Sequence, residues 1–104
     1  MDALAEEKIL GAMMRHPVVV GIATRQLKAE NFHDPKNQVL FEVILSLHRS
    51  GSPTDLVNVA KTLGVEGVME RVGGYFVLAQ IWERACSAVE YGELVSRILD
   101  KPPA

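Results

Sequence analysis

The sequence predicts an all-α fold, a compact globule of six or seven short helices, and three observations support this class. Apolar residues recur at helical spacing along almost the whole chain, whereas no pair of segments shows the alternation of half-buried strands. Eight glycines and five prolines stand mainly between these segments, as turns and helix ends require. With 104 residues, 48% of them hydrophobic, the chain has the length and core material of one domain over residues 1–104.

A proline separates the first two predicted helices. One face of a helix over residues 3–16 is apolar and consists of Ile9, Leu10, Met13 and Met14. Glu6 and Glu7 lie near the positive N-terminal end of this helix, which favours acidic side chains. Pro17 ends the helix, and a second short helix is predicted from there to about Arg25.

The third predicted helix has the clearest start. Asp34 is a typical N-cap, and Pro35 suits the first helical position, where its missing N–H costs nothing. From Gln38 to Arg49 polar residues form only a narrow stripe, and apolar residues such as Phe41 fill the rest. The sequence therefore predicts that this helix lies at the centre of the globule, surrounded by the others.

A turn cluster at residues 51–54 precedes the fourth predicted helix. Either Thr54 or Asp55 can cap this helix, and Gly64 is expected to end it. Its apolar stripe consists of Leu56, Val59, Ala60 and Leu63. A helical turn at about residues 68–72 is then predicted before the next glycines.

Two further helices are predicted in the last third of the chain. Gly73-Gly74 is a plausible C-cap and precedes a helix over residues 75–85. The final helix, over residues 88–100, has a strong apolar stripe that consists of Tyr91, Leu94, Val95, Ile98 and Leu99. This stripe has two interpretations, since it either closes the globule or contacts another copy of the chain. Its five residues are the candidate interface.

Composition and charge exclude several classes of function. A formal net charge of −2 without a basic stripe predicts little or no direct binding of nucleic acid. Cys86 is the only cysteine, which excludes an intramolecular disulfide and indicates a reducing, cytoplasmic setting. The first residues lack the basic and apolar regions of a secretory signal, and no apolar run approaches the roughly 18 residues of a membrane span.

The sequence predicts no catalytic, cofactor-binding or metal-binding residues. It contains neither Gly-x-x-x-x-Gly-Lys-Ser/Thr nor Gly-x-Gly-x-x-Gly, the loops that hold nucleotide phosphates. His16, His33 and His48 lie on different predicted elements, so no two of them share a helical face as metal ligands. Cys86 has no basic neighbour beyond Arg84 to activate it, and we expect a small buried or half-buried thiol.

Short motifs follow one another along nearly the whole chain: Ala5-Glu6, Ile9-Leu10-Gly11, Leu27-Lys28-Ala29-Glu30-Asn31-Phe32, Val39-Leu40-Phe41, Gly51-Ser52-Pro53-Thr54-Asp55-Leu56-Val57, Val72-Gly73-Gly74 and Leu78. In this order and spacing they resemble the N-terminal domain of the bacterial DnaB-type replicative DNA helicases. The chain departs from that family at Asn37, where histidine is usual, and in residues 85–91, which form a shorter segment. The helicase-binding domain of primase has a similar fold but lacks the Gly-Gly and Pro-x-Asp motifs.

The resemblance implies a domain that acts by binding. In the family such domains form a collar on a hexamer and are linked to a RecA-like motor, which alone holds ATP and magnesium. The implied partners are other copies of the helicase N-terminal domain, the primase helicase-binding domain and the helicase loader. The family's domain continues into a helical hairpin, which the last helix of this chain begins.

A second hypothesis places the chain in a different functional class. A small helix-turn-helix DNA-binding regulator would use residues 55–63 and 75–85 as its paired helices. The second of these helices offers only Arg84 as a base, beside Glu83, whereas reading a DNA groove requires several basic or amide side chains. A third hypothesis is that the chain is an enzyme, and no group of residues supports it.

Overall fold

In the computed structural model, which describes residues 3–99, six α-helices and two short 3₁₀ turns follow one another. The helices are α1 (Ala3–Arg15), α2 (Pro17–Gln26), α3 (Pro35–Arg49), α4 (Leu56–Val65), α5 (Tyr75–Glu83) and α6 (Ala88–Leu99). The 3₁₀ turns span Ala29–Asn31 and Met69–Val72. No strand occurs in this part of the chain, and the predicted all-α class is confirmed.

The starts of α3 and α4 follow the predicted capping signals. Asp34 caps α3, because its side chain accepts a hydrogen bond from the Lys36 N–H at 2.9 Å. Asp55 caps α4 in the same way through the Asn58 N–H at 2.8 Å. At the start of α6, Ser87 and Glu90 bond to each other's backbone N–H, which forms a reciprocal capping pair.

Three predicted helix ends differ from the structure. Gly64 was expected to end α4, but it lies inside the helix, since the Glu66 N–H still donates to the Thr62 carbonyl. The helix after Gly74 ends at Glu83 rather than at residue 85, where the Arg84 N–H closes the last turn. The end of the last predicted helix, residue 100, lies outside the described residues.

The central helix is α1, and the prediction that α3 occupies this place was wrong. Nine of the 13 residues of α1 are buried, and the helix contacts α2, α3, α4, α5 and α6. The outer side of α3 remains open to solvent at Glu42, Ser46 and Arg49. The physical reason is residue size, because small residues such as Gly11 and Ala12 allow neighbouring helices to approach α1 closely.

The closest approach occurs where α1 crosses the end of α5. A Cβ atom at Gly11 would lie 2.3 Å from the Ile81 carbonyl oxygen and 2.9 Å from the Ala85 Cα. No side chain fits in that space, so glycine is required there. Next to this crossing the Cys86 N–H donates to the Lys8 carbonyl at 3.2 Å, which fixes the segment that leads into α6.

Two aromatic rings occupy the core beneath the connection between α2 and α3. Phe32 and Phe41 are fully buried, and their ring centroids lie 5.0 Å apart with the planes tilted by 34°. The predicted burial of Phe41 is therefore confirmed. Gly73 follows the second 3₁₀ turn with φ of 98°, a conformation that favours glycine, and leads towards α5.

Candidate protein-interaction surfaces

The apolar stripe of α6 faces the interior of the domain. Four of its five residues, Tyr91, Leu94, Val95 and Ile98, are buried, and α6 packs on α1. The side chain of Leu99 is 45% exposed. The stripe thus closes the globule, as the first of its two interpretations predicts. A contribution of these five residues to pairing between copies stays a prediction.

The titratable groups next to this stripe are not activated. The Tyr91 hydroxyl donates to the Gln26 side-chain oxygen at 2.9 Å, and burial raises the pKa of Tyr91 to about 12, with Cys86 adding to the shift. Burial and the negative charge of Glu90 also raise the pKa of the Cys86 thiol. Since the thiolate is the reactive form, the structure agrees with the predicted inert, buried thiol.

Glu6 connects α1 to the start of α3 and is almost fully buried, with 1% of its surface exposed. Its carboxylate accepts hydrogen bonds from the His33 N–H at 2.8 Å and from the Asn37 side-chain amide at 3.0 Å. The Asp34 N–H lies at 3.4 Å from the second carboxylate oxygen. These donors compensate the buried charge, and the positive end of α3 stabilises it further.

Sequence reasoning placed Glu6 near the N-terminal end of the first helix and made no prediction of its burial, although the helical spacing indicates it. Glu6 precedes Ile9, Leu10 and Met13 by three, four and seven residues, so it shares their buried face. Its neighbour Glu7 pairs with Arg84 at 2.6 Å and Lys36 at 3.5 Å. The two glutamates therefore join α1 to α3 and to the end of α5.

Asn37 lies inside this cluster and is fully buried. Its side-chain amide donates to Glu6, whereas its Oδ1 has no hydrogen-bond partner among the described residues. His33 Nδ1 lies 3.4 Å from the same carboxylate. Within residues 3–99 no group of three His, Cys, Asp or Glu side chains is arranged to hold a metal ion. Through its hydrogen bonds to Glu6, the cluster joins α1 to the start of α3.

Among residues 3–99, eight large apolar side chains remain exposed, and half of them lie in α4 and α5. The set comprises Leu4, Val18, Val57, Val65, Tyr75, Phe76, Val89 and Leu99. Phe76 is 73% exposed and Val65 80% exposed. Exposed apolar side chains on two helices that contact each other are candidates for contact with another protein. The side of α4 and α5 that faces solvent is therefore a candidate protein-interaction surface.

Among the grooves that α3 lines in the described part of the chain, two are shared with other elements. The first has a volume of about 370 Å³ and lies between the end of α1 and the loop before α4, with Met13, Met14 and Val20 among its lining residues. The second is smaller, about 190 Å³, and lies between the outer side of α3 and residues 66–71. Its lining includes both valines and charged residues, which sequence reasoning did not single out.

The exposed side of α4 and α5 does not suit a DNA groove. The two helices contact each other, as the helix-turn-helix reading requires. However, α4 exposes Val57 and Lys61, and α5 exposes Phe76 and Glu83. A helix that reads DNA presents several basic or amide side chains to the bases and phosphates. Lys61 is the one base among these four side chains, and two apolar side chains and an acid beside it favour contact with protein instead.

No helix among residues 3–99 is long and apolar enough to cross a membrane.

Comparisons with known proteins agree on one family. The chain is 34% identical over 97 residues to the replicative DNA helicase DnaB of Synechocystis sp. and 31% identical over 98 residues to that of Leifsonia xyli subsp. xyli. These alignments cover 93% and 91% of the chain but only 11% and 21% of the relatives. The chain thus spans between a tenth and about a fifth of the length of these relatives.

A solved structure supports the same assignment. The N-terminal domain of DnaB helicase from Mycobacterium tuberculosis superimposes with a TM-score of 0.89 at 28% identity, over 96% of this chain and 72% of that one. The sequence model of the family described as DnaB-like helicase N-terminal domain matches residues 2–100 of this chain. The chain therefore belongs to the family of DnaB-like helicase N-terminal domains.

Proposed function

We propose that this chain is the assembly and partner-docking domain of a replicative DNA helicase. The match of the family model to residues 2–100 carries this proposal. The sequence lacks a phosphate-binding loop, so ATP and magnesium belong to a motor domain elsewhere in the full protein, which acts in the cytoplasm. The domain contributes to DNA unwinding by holding copies of the helicase together and by recruiting partners.

The partners proposed are other copies of this domain, the helicase-binding domain of primase and the helicase loader. The exposed apolar side chains of α4 and α5 support a binding role, since Tyr75 and Phe76 provide the aromatic contacts that often anchor protein interfaces. Direct DNA binding is expected to be weak, on the order of 10⁻⁴ M at near-physiological salt, because the net charge is −2.

Sedimentation of the 104-residue chain with assays of ATP hydrolysis and DNA binding tests this proposal. We expect a monomer or weak dimer, because four of the five stripe residues of α6 are already buried in the core and leave little apolar surface there for pairing. We also expect no ATP turnover. Turnover that follows the purified chain, or micromolar binding of random duplex DNA with a steep salt dependence, would overturn the proposal.

A further inference from the structure

The groove between α3 and residues 66–71 combines an apolar floor with an acidic rim. Val39, Val43 and Val68 line it, and Val43 is buried whereas the other two are half-buried. The side chains of Glu42 and Glu66 line the same groove and are exposed. This combination matches the two parts of an arginine or lysine side chain, which has an apolar stem and a charged head.

Neither carboxylate forms an ion pair within 4 Å in the described part of the chain. The ion pairs found there involve Glu6 and Glu7, and neither Glu42 nor Glu66 takes part in one. Arg71 also lines the groove but pairs with neither carboxylate within 4 Å. The lining therefore carries one more negative than positive charge, and it can accept a cation from outside.

An exposed valine beside the groove offers a further apolar contact to a partner. Val65 precedes Glu66 at the end of α4 and is 80% exposed. A partner segment that places a cation in the groove can cover Val65 with a neighbouring apolar residue. The volume of about 190 Å³ is suited to one side chain rather than to a folded element. The features together describe a small anchor site at the edge of the surface formed by α4 and α5.

We propose that this groove binds an arginine or lysine side chain of a partner protein, with the aliphatic stem on the valines and the cationic head between Glu42 and Glu66. This inference deepens the proposed docking function and rests on it for the identity of the partner. The chemistry of recognition is independent of that identity, since it depends only on charge and shape. Nucleic acid and acidic segments are repelled by the same carboxylates.

NMR titration of the ¹⁵N-labelled chain with N-acetyl-arginine methylamide tests the site. The matched probe is N-acetyl-citrulline methylamide, which has the same shape and no charge. We expect saturable shifts of backbone amides in residues 39–46 and 66–71 with the arginine probe, with a dissociation constant on the order of millimolar. The dissociation constant of the citrulline probe should be at least about tenfold higher, because this probe cannot form a charge-assisted hydrogen bond with the carboxylates.

Variants locate the interaction. Combined E42Q and E66Q should abolish the saturable shifts, whereas E93Q, an exposed glutamate on α6, should leave them unchanged. R71Q should tighten binding, because it removes a positive charge from the lining. Equal binding of the two probes, shifts located elsewhere, no saturable shift at all, or unaltered binding by the double variant would each overturn the inference.

The outcome also separates this inference from the proposed function. If the chain binds the primase helicase-binding domain and the double variant binds it equally well, the groove is not the anchor and the docking function stands. If the arginine probe binds as expected while the chain binds no other copy, primase domain or loader, the recognition site stands and the proposed function fails.

Discussion

The central helix α1 and the outer pair α4 and α5 show the same helical periodicity but use their apolar residues differently. Nine of the 13 residues of α1 are buried, against two of the ten in α4 and two of the nine in α5. In α1 even Glu6 and Glu7 are buried and paired. In α4 and α5, by contrast, Val65 and Phe76 face solvent. Periodicity predicts a helix in both regions, whereas only the packing shows which apolar residues are available to a partner.

Two phenylalanines provide the sharpest contrast between core and surface. Phe41 is fully buried against Phe32, so F41A should lower the free energy of unfolding by about 3–5 kcal/mol. Phe76 is 73% exposed, and F76A should change it by no more than about 0.5 kcal/mol. Urea unfolding followed by circular dichroism measures both. Similar losses for the two variants would mean that Phe76 belongs to the core.

A second contrast concerns two glutamates. E6Q removes the charge that accepts three hydrogen bonds at the start of α3, and it should cost about 1.5–3 kcal/mol. E93Q on the exposed side of α6 should be almost neutral. Both variants are compared by chemical denaturation at neutral pH. An E6Q protein as stable as the parent would show that the buried carboxylate contributes no net stability.

Two glycines test the close crossing of α1 and α5. G11A places a Cβ 2.3 Å from the Ile81 carbonyl and should destabilise the fold by about 1–3 kcal/mol. G21A, inside α2 with nothing within 4 Å of its Cβ, should stabilise it by up to about 1 kcal/mol. In thermal melts we expect the melting temperature to fall for G11A and to rise for G21A. A stabilising G11A would place the two helices farther apart than the structure has them.

The last effect is confined to alkaline solution and is a pH dependence at Tyr91. Its folded-state pKa is raised to about 12 from the ordinary 10, so the folded form holds this proton more tightly than the unfolded form. The contribution to stability is therefore complete below about pH 10 and is lost as the pH rises towards 12. Denaturant midpoints at several alkaline pH values measure this loss. Y91F should reduce its slope, and an unchanged slope would contradict the shift.

Sequence reasoning recovered most of the fold and little of the candidate surface. Capping signals such as Asp34-Pro35 act locally, so they located the helices to within a few residues. The central position of α1 depends on Gly11, whose lack of a side chain matters only when α5 is in contact with it. The groove joins Glu42 and Glu66 across 24 positions of the chain, and no local pattern indicates such a pair.

We propose that docking resides in this chain, whereas ATP hydrolysis resides elsewhere in the full protein. Deletion of residues 1–99 from the full-length protein separates the two activities, with binding of the primase helicase-binding domain and ATP hydrolysis as the readouts. We expect the deleted protein to hydrolyse ATP still and to bind the primase domain no longer. Retained primase binding after the deletion would contradict it.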